Sequence, residues 1–217
     1  MSKIEINHVI SLGSFCHTAY FIKSNNLRTA AYPFDWIYST PKIIIDCIRT
    51  QFKNFLNKDL YINNSTKPDN SAGHALYGNK MFYHKNPRNQ IDYEYYVRCI
   101  NKFNDILKKT NSKLFIIIQY LKSYNLSEIV KLDNELYGIT NNYKLLVINI
   151  DTNKKISINE KIVYDRKRIM VINFPAEKSK GSAFENDEDN KKINQLVFSL
   201  FEFKLIESIE KDNKLYN

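Results

Sequence analysis

Three apolar runs constrain this chain most: Leu114 to Gln119 (LFIIIQ), Lys144 to Ile150 (KLLVINI) and Arg168 to Phe174 (RIMVINF). Each has the length of a strand and is apolar without alternation, the pattern of a strand covered on both faces. Helical periodicities stand between and before them. Asp92 to Lys109 carries Tyr95, Cys99, Phe103, Ile106 and Leu107 in register; a second helix is expected from a cap at Ser127 to Tyr137, stopped by Gly138. Strands alternating with helices predict an α/β fold: a single three-layer domain over 1–217 with a mostly parallel sheet.

The flanking segments fit that scheme. His8 to Leu12 (HVISL) is a short strand ended by Gly13, and Cys16 to about Asn26 follows as a helix, so the chain opens with strand, tight turn, helix. Tyr32 to Ser39 (YPFDWIYS) is an aromatic loop, after which Thr40 as N-cap and Pro41 at the first helical position start a helix with Ile44, Cys47, Ile48, Phe52 and Phe55 on one side. Residues 57–90, rich in Asn, Lys, Gly and Tyr, are expected as an irregular insert with one short strand around Lys80 to Tyr83. Ile156, Ile158 and Ile162 alternate as in an edge strand. Acidic residues from Glu185 to Asp189 precede a C-terminal helix at about 187–208, with Ile193, Leu196, Val197, Leu200 and Lys204 in register.

Composition narrows the functional classes. The formal charge of +9 permits an anionic partner, but the 32 basic residues are mostly scattered Lys, and no Arg cluster or nucleic-acid motif accompanies them. A nucleic-acid partner is not expected. No apolar stretch approaches a membrane span, and the N-terminal MSKIEINHVISLG has charged residues followed by too short an apolar run for a signal peptide. Three cysteines, Cys16, Cys47 and Cys99, are an odd number without CxxC spacing, which predicts free thiols in a reducing, cytoplasmic setting. No His, Cys and Glu set has metal-ligand spacing and no Gly-rich phosphate loop is present, so neither metal nor cofactor is inferred.

In an open α/β sheet ligands gather beyond the carboxyl ends of the strands, which is where the turn Gly13-Ser14-Phe15-Cys16 falls. Unpaired amides and the positive dipole end at a helix N-terminus stabilise a thiolate, and the same amides can hold an oxyanion. Gly13, Ser14 and Phe15 are therefore turn and oxyanion candidates beside Cys16. Cys47 and Cys99 fall on apolar helix stripes and are expected as core residues. Among the histidines, His84 lies in the insert. His17 follows Cys16 on the helix and is expected to point elsewhere, and His8 and His74 are expected at the surface. Asp35, between Phe34 and Trp36, needs a partner: it could orient His84, hold Arg28 or Arg98, or cap the helix after Pro41.

The stretch SLGSFCHTAYFIKSNNLRTAAYPFDWIYSTP, Ser11 to Pro41, resembles the N-terminal signature of a family of bacterial and large-virus proteins labelled papain-like cysteine peptidases. The matching positions are Ser11, Leu12, Gly13, Cys16, Ala19, Leu27, Arg28 and the PFDW residues Pro33, Phe34, Asp35 and Trp36. FYHKN around His84 and YVRCINKFNDIL, with Arg98 and Phe103, add to the resemblance, which covers about half the chain. It implies a Cys nucleophile at Cys16 with a His partner, and for a viral protein a place in the host cytoplasm. Papain-type folds pack the Cys helix against an antiparallel barrel, however, whereas the apolar runs here read as a parallel sheet.

The expectation is a thiol-dependent hydrolase or acyl transferase in which Cys16 attacks an acyl carbonyl, His84 shuttles the proton and Asp35 orients or balances charge. Trp36, Arg28 and Arg98 would support the site. The substrate, whether peptide, glycan or another small acyl compound, is open, as is the oligomeric state. Two alternatives differ in kind. One is a noncatalytic module binding a sugar, nucleotide or protein, with PFDW as aromatic core. The other is a GDSL-like esterase using Ser14, although no histidine follows Asp187, Glu188 and Asp189 to form its usual late block.

Overall fold

The computed structural model describes residues 3–64, 70–152, 161–166, 168–176 and 178–206. After a short strand β1 (Ile4–Ile6), β2 (His8–Ser11) leads through a turn into α1 (Cys16–Ser24), and the aromatic loop leads into α2 (Pro41–Arg49). Thr40 caps α2 as expected, its side chain accepting from the Ile43 amide, so Asp35 is not that cap. The stripe expected on α2 is split: the helix ends at Arg49, and Phe52 and Phe55 are buried from the turns that follow.

The insert is more regular than its composition predicts. Its described residues hold three short antiparallel strands, β3 (Tyr61–Asn63), β4 (Ala72–His74) and β5 (Gly78–Phe82), in the order β3-β4-β5. The expected strand around 80–83 corresponds to the end of β5. Gly73 explains the tight pairing, since a Cβ there would come within 2.7 Å of the Asn79 backbone.

Beyond the insert, α3 (Gln90–Lys108), β6 (Lys113–Tyr120), α4 (Leu126–Ile139) and β7 (Tyr143–Asp151) follow, then β8 (Lys161–Arg166), β9 (Ile169–Pro175) and α5 (Asp187–Leu200). The main sheet has the order β2-β6-β7-β9-β8, with the first four strands parallel and β8 antiparallel at the edge. The α/β architecture and largely parallel sheet read from the sequence are thus present, and the sheets are open, not barrels. Side chains alternate across the sheet: Phe115, Ile117, Leu145 and Val147 face the layer of α2, α3 and α4, while Ile116, Ile118, Leu146 and Ile148 face α1 and α5. Fully burying an aliphatic side chain of this size contributes about 1.5–3 kcal/mol.

Several boundaries differ from expectation for local reasons. Helix α4 is capped by Asn125, whose side chain accepts from the Ser127 and Glu128 amides, so Ser127 lies inside the helix; Gly138 sits in its last turn and does not end it. The C-terminal helix stops at Leu200, because Phe201–Phe203 forms a strand, β10, that pairs in parallel with β1. Lys204 is therefore off the helix, where it reaches Glu5 at 2.8 Å. Ile156, Ile158 and residues 207–208 of the expected elements lie outside the described residues. Ile162 belongs to the edge strand β8.

Candidate active site

The turn after β2 is shaped by steric necessity. Gly13 has φ +80, and a Cβ there would lie 2.2 Å from Ser39 Oγ, so both backbone and space demand glycine. Ser14 also adopts positive φ, at 79°. Two hydroxyls hold this conformation. Ser39 Oγ accepts from the Ser14 amide at 3.1 Å and donates to the Leu12 carbonyl at 2.9 Å, tying the turn to the end of the aromatic loop. Thr18 Oγ1 donates to the Gly13 carbonyl at 2.6 Å and accepts from the Ile118 amide at 2.9 Å, tying it to β6. Neither Ser39 nor Thr18 stands out in the sequence; the signal would have been two small hydroxyl residues near a glycine turn.

These bonds place Cys16 as the first residue of α1, whose N-cap, Phe15, provides no side-chain cap. The sulfur lies 3.1 Å from His84 Nε2. Cys16 is buried and His84 exposed, so the pair sits where the interior meets solvent. Residues 68 positions apart meet because the chain after β5 turns back over the aromatic loop, where the Tyr38 amide donates to the Met81 carbonyl at 3.0 Å.

Aromatic rings border His84. Trp36 meets the His84 ring edge-on at 6.2 Å between centroids, Tyr83 at 5.3 Å, and Tyr38 packs on Tyr83. Phe15 stacks on Tyr120 with planes 6° apart. Burial raises the phenol pKa of Tyr38, with smaller contributions from the nearby Cys16, Tyr83 and Tyr120. Trp36 itself has a positive φ of 60°, an uncommon conformation for a bulky residue.

The other expected residues are placed as follows. Asp35 accepts from the Tyr32 amide at 3.1 Å and stands 3.7 Å from the Arg28 guanidinium, closing the turn that presents Trp36. Burial raises its carboxyl pKa to about 6 against the lowering effect of Arg28 and the Tyr32 amide. Arg98 is exposed on α3, and the ion pair of Asp35 is with Arg28. Of the turn amides, that of Gly13 is taken by Ser11 Oγ and that of Ser14 by Ser39 Oγ. An oxyanion at this turn is therefore left to amides at the start of α1.

The remaining histidines are buried, contrary to the surface expectation for His8 and His74. His74 is sealed in the insert, its Nε2 donating to the Asn54 carbonyl at 3.0 Å and its Nδ1 accepting from the Leu76 amide at 3.2 Å. Its ring stacks on Tyr77 at 4.2 Å. His8 starts β2 near Lys109 and Lys113, and burial lowers its pKa to about 4. Polar neighbours in sequence hid both, because enclosure comes from distant segments. His17 does point away from Cys16, towards Phe184. Cys47 and Cys99 are free, buried thiols whose pKa burial pushes up to about 12. Among the described residues no group of three or more His, Cys, Asp or Glu side chains could hold a metal ion, and no helix is long and apolar enough to cross a membrane.

A thiol at a helix start, faced by an imidazole, on an open parallel sheet defines an α/β protein with a Cys–His pair at the carboxyl end of its first core strand. Residues 7–152 match the family described as "Putative papain-like cysteine peptidase (DUF1796)", and the chain belongs to that family. Comparison with curated proteins and with solved structures gave no match.

Proposed function

We propose that the protein is a thiol-dependent hydrolase or acyl transferase with Cys16 as nucleophile and His84 as base. The observation that carries this reading is the 3.1 Å approach of Cys16 Sγ to His84 Nε2 at the start of α1. A nucleophile and base within hydrogen-bond reach are the minimum for covalent acyl transfer, and a helix start favours the thiolate. Support comes also from His84 facing sulfur: among the described residues no histidine is hydrogen-bonded to Ser14, which disfavours the esterase alternative.

In the first half-reaction the Cys16 proton passes to His84, and the sulfur attacks the acyl carbonyl. The oxyanion forms beside the first amides of α1, and its collapse expels the leaving group, which takes the proton from His84. In the second half-reaction His84 removes a proton from water or an acceptor, which attacks the thioester; the C–S bond breaks and the departing Cys16 sulfur takes the proton back from His84. Asp35 acts on this pair as a positioning residue: its bond to the Tyr32 amide holds the turn that sets Trp36 against the His84 ring.

The test is a panel of activated esters and fluorogenic peptide amides, assayed with the wild type, Cys16→Ala and Ser14→Ala. Turnover lost only in Cys16→Ala, with an acylated Cys16 trapped by mass spectrometry, is the expected result. Loss in Ser14→Ala alone would establish the esterase, and a wild type that forms no acyl adduct with any substrate would leave the noncatalytic module.

A further inference from the structure

His17 leaves Cys16's side of α1 and lines a second recess, one the proposed chemistry does not use. This pocket, of about 430 Å³, lies between α1 and the segment that leads into α5. That volume is in the range of small-molecule sites, about 300–1,000 Å³. One wall, α1, falls within the residues matched to the family; the other, Lys180 to Asn194, falls outside them.

The second wall is built rather than loose. Ser179 and Phe184 form an isolated antiparallel bridge, and the Lys180 amide donates to the Ala183 carbonyl at 2.8 Å. Asn190 pins this hairpin to α5, accepting from the Phe184 amide and donating to its carbonyl, each at 3.0 Å.

The pocket grades from apolar depth to charged mouth. Phe21, Phe184 and Ile193 are buried on its lining, with His17 only 2 % exposed beside them. Lys180 and Asp187, on the same lining, are exposed. Neither forms an ion pair among the described residues, although the neighbouring Lys178 is paired with Glu185 at 3.1 Å. Opposite charges left apart at one mouth complement a ligand that carries both signs.

The tautomer of His17 sets what the depth accepts. Ser179 Oγ donates its single proton to the Ala183 carbonyl at 3.3 Å and accepts from the Gly181 amide at 3.1 Å. His17 Nδ1 lies 3.5 Å from the same hydroxyl, a contact in which either atom can donate; with the Ser179 proton on the Ala183 carbonyl, Nδ1 is the donor and Nε2 is left as an acceptor. Burial lowers the His17 pKa to about 4, consistent with a neutral ring. No hydrogen bond to Nε2 is present among the described residues, and Nε2 is not one of the fully enclosed unpaired side-chain atoms, so it is open to a donor from the pocket.

We propose that this pocket binds an aromatic α-amino acid whose ring carries a hydrogen-bond donor, as the tyrosine phenol does. The ring lies against Phe21, Phe184 and Ile193 and its hydroxyl donates to His17 Nε2; at the mouth the carboxylate meets Lys180 and the ammonium meets Asp187. Such a site discriminates by what it leaves unpaired, so phenylalanine, with no donor, should bind more weakly.

Titration calorimetry on the full chain tests this with L-tyrosine, L-phenylalanine, tyramine and N-acetyl-L-tyrosine as probes. The expected result is saturable binding of L-tyrosine, weakened about tenfold or more in each of the other three, since one lost pairing of about 1.4 kcal/mol is a factor of ten. In His17→Phe the preference for tyrosine over phenylalanine should vanish, and Lys180→Glu and Asp187→Asn, at exposed positions, should each weaken L-tyrosine by a similar factor while leaving the fold intact. No saturable binding of L-tyrosine to the wild type, equal binding of all four probes, or unchanged affinity in Lys180→Glu and Asp187→Asn would overturn the proposal. Because the readout is binding, it stands or falls independently of turnover at Cys16.

Discussion

Cys16, Cys47 and Cys99 are all buried, yet the surroundings of Cys16 oppose those of the other two. Cys47 and Cys99 sit within helices, each hydrogen-bonded to a tyrosine, Tyr77 and Tyr95 respectively, and burial drives their pKa to about 12, so they stay protonated and inert. Cys16 starts its helix instead, with an exposed imidazole 3.1 Å from its sulfur. Burial as such does not make a cysteine a core residue. What decides is whether amides and a base face the sulfur.

Removing His84, the proposed base, should have the largest effect. In His84→Ala the Cys16 advantage should shrink towards an ordinary thiol, with turnover on any acyl substrate lower by about 10²–10⁴, the usual worth of a positioned base. Steady-state rates read this directly, and a His84→Ala enzyme that keeps full activity would separate Cys16 from its partner. Next is Gly13→Ala, which forces a Cβ to 2.2 Å from Ser39 Oγ at φ +80. Strain and repacking of this kind cost about 2–4 kcal/mol, and Tm should fall by several degrees while Cys16 alone among the thiols changes its alkylation rate. An unchanged Tm would mean that the turn is not braced as described.

A smaller effect is expected at Asp35. Its folded pKa of about 6 lies above the ordinary carboxylate value, so the folded state binds this proton more tightly than the unfolded chain does. Its contribution to stability is greatest below the unfolded pKa of about 3.9 and is lost as pH rises through about 6. Urea unfolding of Asp35→Asn between pH 4 and 7 should lack this decline, and Cys16 reactivity should change only a few-fold, because Asn can still accept from the Tyr32 amide. A variant with the same pH slope as the wild type would show that Asp35 is ionised at no extra cost. Smallest is Cys99→Ala, expected to lower stability by about 1–2 kcal/mol through lost packing while the alkylation of Cys16 is untouched; altered Cys16 kinetics would couple the two regions.

The half of this comparison that depends on chain-local pattern was legible in the sequence. HVISLG followed by a helical register fixed the strand, turn and helix that carry Cys16, and the uninterrupted runs at 114–119, 144–150 and 168–174 marked the strands between the two helical layers. Gly13 stood out because the chain has only five glycines. Most of what escaped depends on distant partners. The strand Phe201–Phe203 reads as a continued helix until β1, nearly 200 residues away, is known to pair with it. Ser39 and Thr18 brace the site through contacts with backbone far along the chain, and His8 and His74 are polar in sequence but enclosed by other segments. Asn125 took the helix start assigned to Ser127 because both are good caps two residues apart.

The most direct measurement of the central claim is the alkylation rate of each cysteine against pH, followed residue by residue with mass spectrometry. The account predicts that Cys16 reacts far faster than Cys47 and Cys99 at pH 6, with an inflection below the ordinary thiol value of about 8.5. Three slow thiols, with Cys16 inflecting at or above that value, would contradict it.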